Sequence, residues 1–103
     1  MSAHSLRLSL SRRASHDLQL IQRYSFKQWG ADQARAYDTV IERALSRLQQ
    51  HPNLGRDRDD LVAGLRTLPV GRHIIYYRLS SDALIVDRIL HQRMNVTRDQ
   101  LTR

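Results

Sequence analysis

The sequence predicts an α+β fold, in which a helical hairpin packs on a small antiparallel sheet in the order β-α-α-β-β-β. Three observations predict it. A short alternating segment comes first, two amphipathic stretches separated by Gly30 follow, and three short β-type segments with tight turns make up the second half. The 103 residues contain no internal repeat or linker-like stretch, so we expect a single domain over 1–103.

The first half of the chain predicts one strand and two helices. Residues 6–10 alternate apolar and polar side chains, which is typical of a half-buried strand. Ser11 is a candidate N-cap for the first helix, and Gly30 favours the left-handed conformation that ends a helix. Asp32 is a candidate N-cap for the second helix, which Pro52 stops. Each helix carries one apolar stripe: Ala14, Leu18, Ile21 and Tyr24 in the first, and Ala34, Tyr37, Ile41, Ala44, Leu45 and Leu48 in the second. Helices joined by so short a turn run antiparallel.

The second half predicts a surface loop followed by a three-stranded meander. The polar stretch 53–64 is the loop, and the strands are predicted at 65–70, 73–79 and 83–90. Pro69 indicates a sheet edge or a strand end, because proline has no backbone N–H. Alternation predicts that Leu84, Val86 and Leu90 share one face of the last strand, and that Ile85, Asp87, Ile89 and His91 share the other. We expect one face to meet the helices and the other to line a groove.

Composition limits the classes of function. The formal charge is +7, and sixteen of the seventeen basic residues are arginine, which predicts an acidic protein partner, nucleic acid, or both. The chain has no cysteine, and its five histidines lack metal-ligand spacing, so we expect no disulfide, metal or cofactor. The first residues lack the apolar core of a signal peptide, and no apolar run is long enough to cross a membrane. We therefore expect a cytoplasmic protein without a membrane partner.

Five stretches extending over nearly the whole chain resemble the ParE branch of the ParE/RelE toxin superfamily. They are Ala14-x-x-Asp17-Leu18-x-x-Ile21; Trp29-Gly30-x-x-Gln33-Ala34-x-x-Tyr37; Pro52-x-x-Gly55-Arg56; Gly64-Leu65-Arg66 with Gly71-Arg72-His73-Ile74-Ile75-Tyr76-Tyr77-Arg78; and Arg88-Ile89-Leu90-His91-Gln92-Arg93-Met94. Each is weak alone, but their order and spacing together are specific. The position after Met94 is usually acidic in that family, whereas here it is Asn95.

The resemblance implies a function that composition does not. ParE-type proteins inhibit DNA gyrase, are neutralised by an antitoxin encoded beside them, and can stabilise a plasmid. That antitoxin is typically a ParD-type ribbon-helix-helix protein whose tail wraps the toxin. The resemblance therefore implies a gyrase inhibitor that is not an enzyme, with a ParD-like antitoxin and DNA gyrase as partners; direct nucleic-acid binding stays open.

Two alternatives stay open from the sequence. One is a RelE-type ribonuclease that cuts messenger RNA on the ribosome, for which His91, Arg66 and Arg88 are the candidate catalytic residues. Such chemistry needs proton transfer and cations for the phosphate charge. The other is a homologue that binds antitoxin without being toxic. Against the ribonuclease, no aromatic residue follows His91, and the chain lacks a lysine cluster.

The candidate binding residues fall into two sets. Arginines from three different predicted strands could share a sheet face, which makes that end of the sheet the candidate target-binding surface. Alternatively, some of these arginines could form structural ion pairs with Asp87 or with the acidic residues of the loop. That set is Arg66, Arg78, Arg88, His91 and Arg93. The candidate antitoxin contacts are Trp29, Tyr37, Ile85 and Ile89, although Trp29 and Tyr37 could equally pack the helix turn.

Overall fold

A computed structural model describes residues 6–94 and 96–101 of the chain. A helical layer packs on a five-stranded sheet with the strand order β1-β5-β4-β3-β2. The elements are β1 (Arg7–Leu10), α1 (Arg12–Gln50), β2 (Arg56–Asp57), β3 (Arg66–Val70), β4 (His73–Leu79), β5 (Ala83–His91) and α2 (Arg98–Leu101). The predicted α+β class and the order of the main elements are confirmed.

The helical layer is a hairpin folded at Gly30. This residue has φ 85° and ψ 176°, which interrupts α1 between residues 12–29 and 31–50. A straight helix of 39 residues would be about 58 Å long, whereas the longest extent of the molecule is 40 Å. Both ends of α1 also lie at β1: the Ser11 side chain accepts from Ala14 N at 3.0 Å, and Gln49 Nε2 donates to Leu6 O at 2.7 Å. The chain therefore reverses at Gly30.

The sheet is mixed. Strands β3, β4 and β5 form the predicted antiparallel meander, but β1 pairs with β5 in parallel. Two short elements were not predicted: β2 extends the sheet edge within the expected loop, and α2 follows β5. Strand β2 pairs only with Arg66 and Thr67, so Pro69 lies where β3 has no outer neighbour, as a residue without an N–H requires.

A bulge in β5 changes which side chains share a face. Tyr76 pairs with Arg88 and Tyr77 with Val86, so Asp87 has no partner on β4. The extra residue reverses the alternation beyond it. The predicted faces are therefore wrong after Asp87: Ile89 joins Leu84 and Val86 in the core beneath the helices, and Leu90 packs on the opposite face of the sheet.

Apolar side chains pack on both faces of the sheet. The larger cluster lies between α1 and the sheet, and includes Ile41, Leu48, Ile75, Tyr77 and Leu84. On the other face, Leu65, Tyr76 and Leu90 pack with Leu101 of α2. In the part of the chain that the structure describes, no helix has the length and apolar character needed to cross a membrane.

The buried Tyr77 fixes the connection between α1 and β2. Its hydroxyl donates to Pro52 O at 2.7 Å and accepts from Gly55 N at 2.9 Å. A Cβ atom at position 55 would lie 2.7 Å from Tyr77 Cε1 and 2.9 Å from the carbonyl oxygen of Thr67. Only glycine fits this approach, which gives a structural reason for the Pro52-x-x-Gly55 stretch.

Candidate functional site

Arg78 forms an internal ion pair. Its Nε and Nη2 atoms donate to the two carboxylate oxygens of Asp87 at 2.6 and 3.0 Å, and the Asp87 side chain is only 4% exposed. This hydrogen bonding raises the pKa of Arg78. The guanidinium is thus fixed against the bulge of β5.

Arg88 forms a second and more buried pair, with Asp17 of α1. Its Nε and Nη2 atoms donate to the Asp17 carboxylate at 2.7 and 2.8 Å, and the two side chains are 15% and 7% exposed. Asp17 also accepts from the backbone N–H of Ile89 at 3.0 Å, and Arg88 Nη1 donates to Gln100 O at 3.1 Å. Hydrogen bonding to Asp17 raises the pKa of Arg88. This pair therefore links α1 to the bulge of β5 and to α2 through hydrogen bonds.

The remaining arginines of the set differ from these two. Arg66 Nη2 donates to Asn53 O at 3.3 Å, while its buried Nε has no hydrogen-bond partner. Arg93 is exposed in the turn after β5, and its backbone N–H donates to His91 Nδ1 at 3.1 Å. Neither guanidinium is in an ion pair with a described carboxylate.

The structure does not bring the five predicted target-binding residues into one cluster. Arg66 lies opposite Tyr77 on β4, whereas His91 lies opposite His73. Four residues of strand separate those two positions, or about 13 Å. Arg78 and Arg88 are instead held in internal ion pairs. For these two residues, the structure therefore agrees with the alternative that they pair with acidic side chains of the chain itself.

A cavity of 330 Å³ forms where the tip of the helical hairpin meets the turn between β3 and β4. It brings together residues from both predicted binding sets: Trp29 and Tyr37 from the antitoxin contacts, and His91 from the target-binding surface. Its lining consists of Tyr24, Ser25, Trp29, Gln33, Tyr37, Gly71, Arg72, His73 and His91. We call it the hairpin-tip cavity.

Aromatic and cationic side chains form its walls. The Arg72 guanidinium lies 4.4 Å from the centre of the Trp29 ring, in a cation–π arrangement. Tyr24 meets the same ring edge-on, with centroids 5.8 Å apart, and Trp29 stays 43% exposed. His73 and His91, directly paired between β4 and β5, have ring centroids 5.4 Å apart. Sequence reasoning missed Tyr24, Arg72 and His73 as site residues, although two of them lie in a stretch that carried the family resemblance.

Tyr37 connects the helix to this turn. Its hydroxyl accepts from Arg72 N at 3.0 Å and has two possible acceptors for its own proton, His73 Nδ1 at 2.6 Å and Val70 O at 3.3 Å. A Cβ atom at position 71 would lie 2.6 Å from Tyr37 Cε1, and Gly71 has φ 57°. Glycine is therefore required twice here, for its backbone conformation and for the close approach.

The environment of His73 disfavours the protonated form of its ring. Partial burial lowers the pKa of His73 below its ordinary value of 6.5, and the neighbouring His91 and Arg72 add to the effect, against a smaller opposing influence of Asp17. Because burial and nearby cations both disfavour the charged ring, His73 resists protonation as long as no anion approaches it.

Two predicted antitoxin contacts lie elsewhere. Ile89 is 2% exposed in the core, so its side chain is not available at the surface. Ile85 lines a second cavity, of 610 Å³, beside Ser9, Asp87 and Leu101. Among the described residues, no three histidine, aspartate or glutamate side chains are grouped so as to hold a metal ion.

Comparison with known proteins places these features in one family. A family model for the ParE toxin of the type II toxin–antitoxin system parDE matches residues 8–96. The toxin ParE1 of Mycobacterium tuberculosis is 38% identical over 96 residues, which cover 92% of this chain and 98% of that one. A solved structure of the chromosomal ParDE system of P. aeruginosa superposes with a TM-score of 0.73 and 27% identity, covering 85% and 97% of the two chains. The toxin–antitoxin complex RelBE2 of M. tuberculosis shares the fold, with a TM-score of 0.66 and 18% identity over 86% of this chain and all of that one.

Proposed function

Because this chain belongs to the ParE toxin family of type II toxin–antitoxin systems, we propose that it inhibits DNA gyrase by binding it, without cleaving a bond itself. We propose further that a ParD-like ribbon-helix-helix antitoxin neutralises it. The two solved structures with the same fold are described as a ParDE system and as a toxin–antitoxin complex. That description supports an antitoxin partner for this chain as well.

The observation that carries the binding mechanism is the separation of the candidate catalytic residues. RNA cleavage requires a proton-transferring group and cations around one phosphate. Here Arg88 is held by Asp17. Arg66 and His91 lie on opposite sides of β4, about 13 Å apart along the strands and about 10 Å apart across them. These three side chains do not surround a common point, which favours binding over catalysis.

The proposed target surface is narrower than the sequence-based set. Arg78 and Arg88 stabilise the sheet through their ion pairs, so they shape the surface without being free to contact gyrase. Arg93, exposed beyond β5, and Arg66, whose Nε has no hydrogen-bond partner, are the cations of the set that are not in ion pairs with described carboxylates. His91 lines the hairpin-tip cavity and accepts a hydrogen bond from the backbone N–H of Arg93.

The proposed antitoxin surface follows the helical hairpin. Large apolar side chains remain exposed there: Leu20, Tyr24, Phe26, Trp29 and Val40. Together with the +7 charge of the chain, they fit an acidic, amphipathic tail, since such a tail offers apolar side chains and carboxylates on the same segment.

The target is tested by assaying the purified chain in parallel against gyrase supercoiling and against ribosome-bound messenger RNA. We expect the unmodified chain to inhibit supercoiling and to leave messenger RNA intact. If messenger RNA is cut, cutting is lost in His91→Ala, and supercoiling is unaffected, then the ribonuclease is the correct function and our proposal is wrong.

The antitoxin is tested by co-expression with the reading frame beside the gene. We expect the chain alone to arrest growth, and a neighbouring ribbon-helix-helix protein to restore growth and co-purify with the chain. Co-purification without any growth arrest by the chain alone would instead identify a homologue that binds antitoxin but is not toxic.

A further inference from the structure

We propose that the hairpin-tip cavity binds the carboxylate of an aspartate or glutamate side chain in an acidic peptide segment. The proposal rests on the proposed function, since the neutralising partner would supply that segment. It adds the chemistry by which one part of the partner is recognised, at a cavity lined by Arg72, His73 and His91.

The cationic and titratable groups of the cavity are all potential donors. Arg72 contributes a guanidinium with five N–H donors and no acceptor. No acidic residue lines the cavity, and Arg72 makes no ion pair with a described carboxylate. Its guanidinium rests on the face of Trp29 instead, a weaker interaction than a charge-assisted hydrogen bond to a carboxylate. An anion entering the cavity would therefore meet a positive group that is not neutralised from within.

Both histidines can donate in their neutral forms. His91 Nδ1 accepts from the backbone N–H of Arg93, which leaves the ring proton on Nε2. His73 Nδ1 lies 2.6 Å from the Tyr37 hydroxyl, the shorter of the two contacts to which that hydroxyl can give its proton. We therefore assign the hydroxyl as donor and the ring proton of His73 to Nε2, from the hydrogen-bond network. In both rings one nitrogen is occupied inside the protein and the other carries a proton.

The surroundings favour a peptide over a nucleic-acid phosphate. Two of the rings that line the cavity, those of Tyr24 and Trp29, remain 59% and 43% exposed. Apolar neighbours of a glutamate in an amphipathic segment would cover these rings, as anchor residues do at protein interfaces. The backbone of a nucleic-acid duplex would leave these rings uncovered. A single strand would stack bases on them, and adenosine monophosphate tests that alternative.

Carboxylate binding is expected to take up a proton. The charged and titratable groups around His73 are Arg72 in the same turn, His91 on β5, and Asp17 and Tyr37 on α1. Without a ligand, burial and the neighbouring Arg72 and His91 disfavour a charge on His73. A carboxylate reverses that balance, because it stabilises the imidazolium form. Binding should thus strengthen as the pH falls, by at most about tenfold per pH unit for each proton taken up.

Trp29 makes a direct test possible, because it is the only tryptophan of the chain. The probe is the peptide acetyl-Leu-Glu-Leu-amide, and its control is acetyl-Leu-Gln-Leu-amide, which has the same shape without the charge. We expect the Glu peptide to produce a saturable change in Trp29 fluorescence that is several-fold tighter at pH 6 than at pH 8. The Gln peptide should produce none. The Cε1–H proton signals of the histidines should shift with the same saturation curve.

Variants identify the groups responsible. Arg72→Gln should weaken the Glu peptide by roughly tenfold or more, since it removes the charge-assisted bond. His73→Gln should abolish the difference between pH 6 and pH 8. Arg47→Gln, an equal loss of charge at the exposed far end of α1, should change neither. Circular dichroism verifies that each variant is folded, and the histidine signals report binding when Arg72 no longer covers Trp29.

Three outcomes would overturn the proposal: no saturable signal with the Glu peptide, equal binding of the Glu and Gln peptides, or tighter binding of adenosine monophosphate than of the Glu peptide. The last would assign the cavity to nucleic acid. Failure here is distinguishable from failure of the proposed function. If the neighbouring antitoxin restores growth while the Glu peptide does not bind, only the assignment of the cavity is wrong.

Discussion

Replacing Asp17 with asparagine removes one charge from the most buried ion pair among the described residues and leaves its shape unchanged. The carboxylate accepts three hydrogen bonds, two from the Arg88 guanidinium and one from Ile89 N. The amide that replaces one oxygen cannot accept, so at least one of these donors loses its partner. Arg88, 15% exposed, then carries a charge without compensation.

This arrangement sets the size of the effect. Removing one partner of a buried ion pair typically costs about 3–5 kcal/mol, because the remaining charge stays buried. The whole free energy of unfolding of such a domain is about 5–15 kcal/mol. We therefore expect Asp17→Asn to lower the melting temperature by more than about 10 °C.

Urea and thermal denaturation, followed by circular dichroism, measure this loss. Asp60→Asn is the matched control, because Asp60 makes the same kind of bidentate pair with Arg58 but its side chain is 63% exposed. Its midpoint should stay close to that of the unmodified chain. If Asp17→Asn is as stable as Asp60→Asn, then the pair does not hold the helix to the bulge and the reasoning is refuted.

Three further predictions follow from the contacts around the site. Burial lowers the pKa of His73 in the folded chain, so the unfolded chain binds a proton there more readily. The urea midpoint should therefore decrease as the pH is lowered from 8 to 5.5, and His73→Gln should reduce that decrease. Tyr77→Phe should cost about 1–3 kcal/mol in urea denaturation, since it leaves Gly55 N and Pro52 O without their shared partner; an unchanged midpoint would contradict this. Gly71→Ala should lower the melting temperature more than Gly64→Ala does, because both have positive φ but only the former would press a Cβ against Tyr37.

Short-range signals predicted much of the fold. Ser11 caps α1 as expected, Gly30 ends its first half, and the helix ends before Pro52. The bounds of β4, residues 73–79, were predicted without error. These features depend on neighbours within a few positions, where backbone preferences decide the structure.

Long-range features could not be predicted in the same way. The bulge at Asp87 moves Ile89 into the core, and nothing in simple alternation signals it. The Asp17–Arg88 pair joins residues 71 positions apart. Asp17 lies in a stretch that carried the family resemblance, but only the packed structure reveals its buried partner.

For the candidate site, too, the sequence indicated single residues but not how the fold brings them together. Trp29 and Tyr37 were predicted as antitoxin contacts, and His91 as part of the target-binding surface. They line one cavity because the hairpin tip packs on the turn at Gly71. Arg72 was predicted in that turn and His73 at the start of the next strand, and neither side chain had an assigned function.

The most direct test of the proposed function is whether the chain itself binds gyrase. The purified chain, carrying a fluorescent label, is mixed with purified gyrase and separated by size-exclusion chromatography. We predict saturable co-elution that the neutralising antitoxin abolishes. A chain that arrests growth but never co-elutes with gyrase would contradict the proposed function.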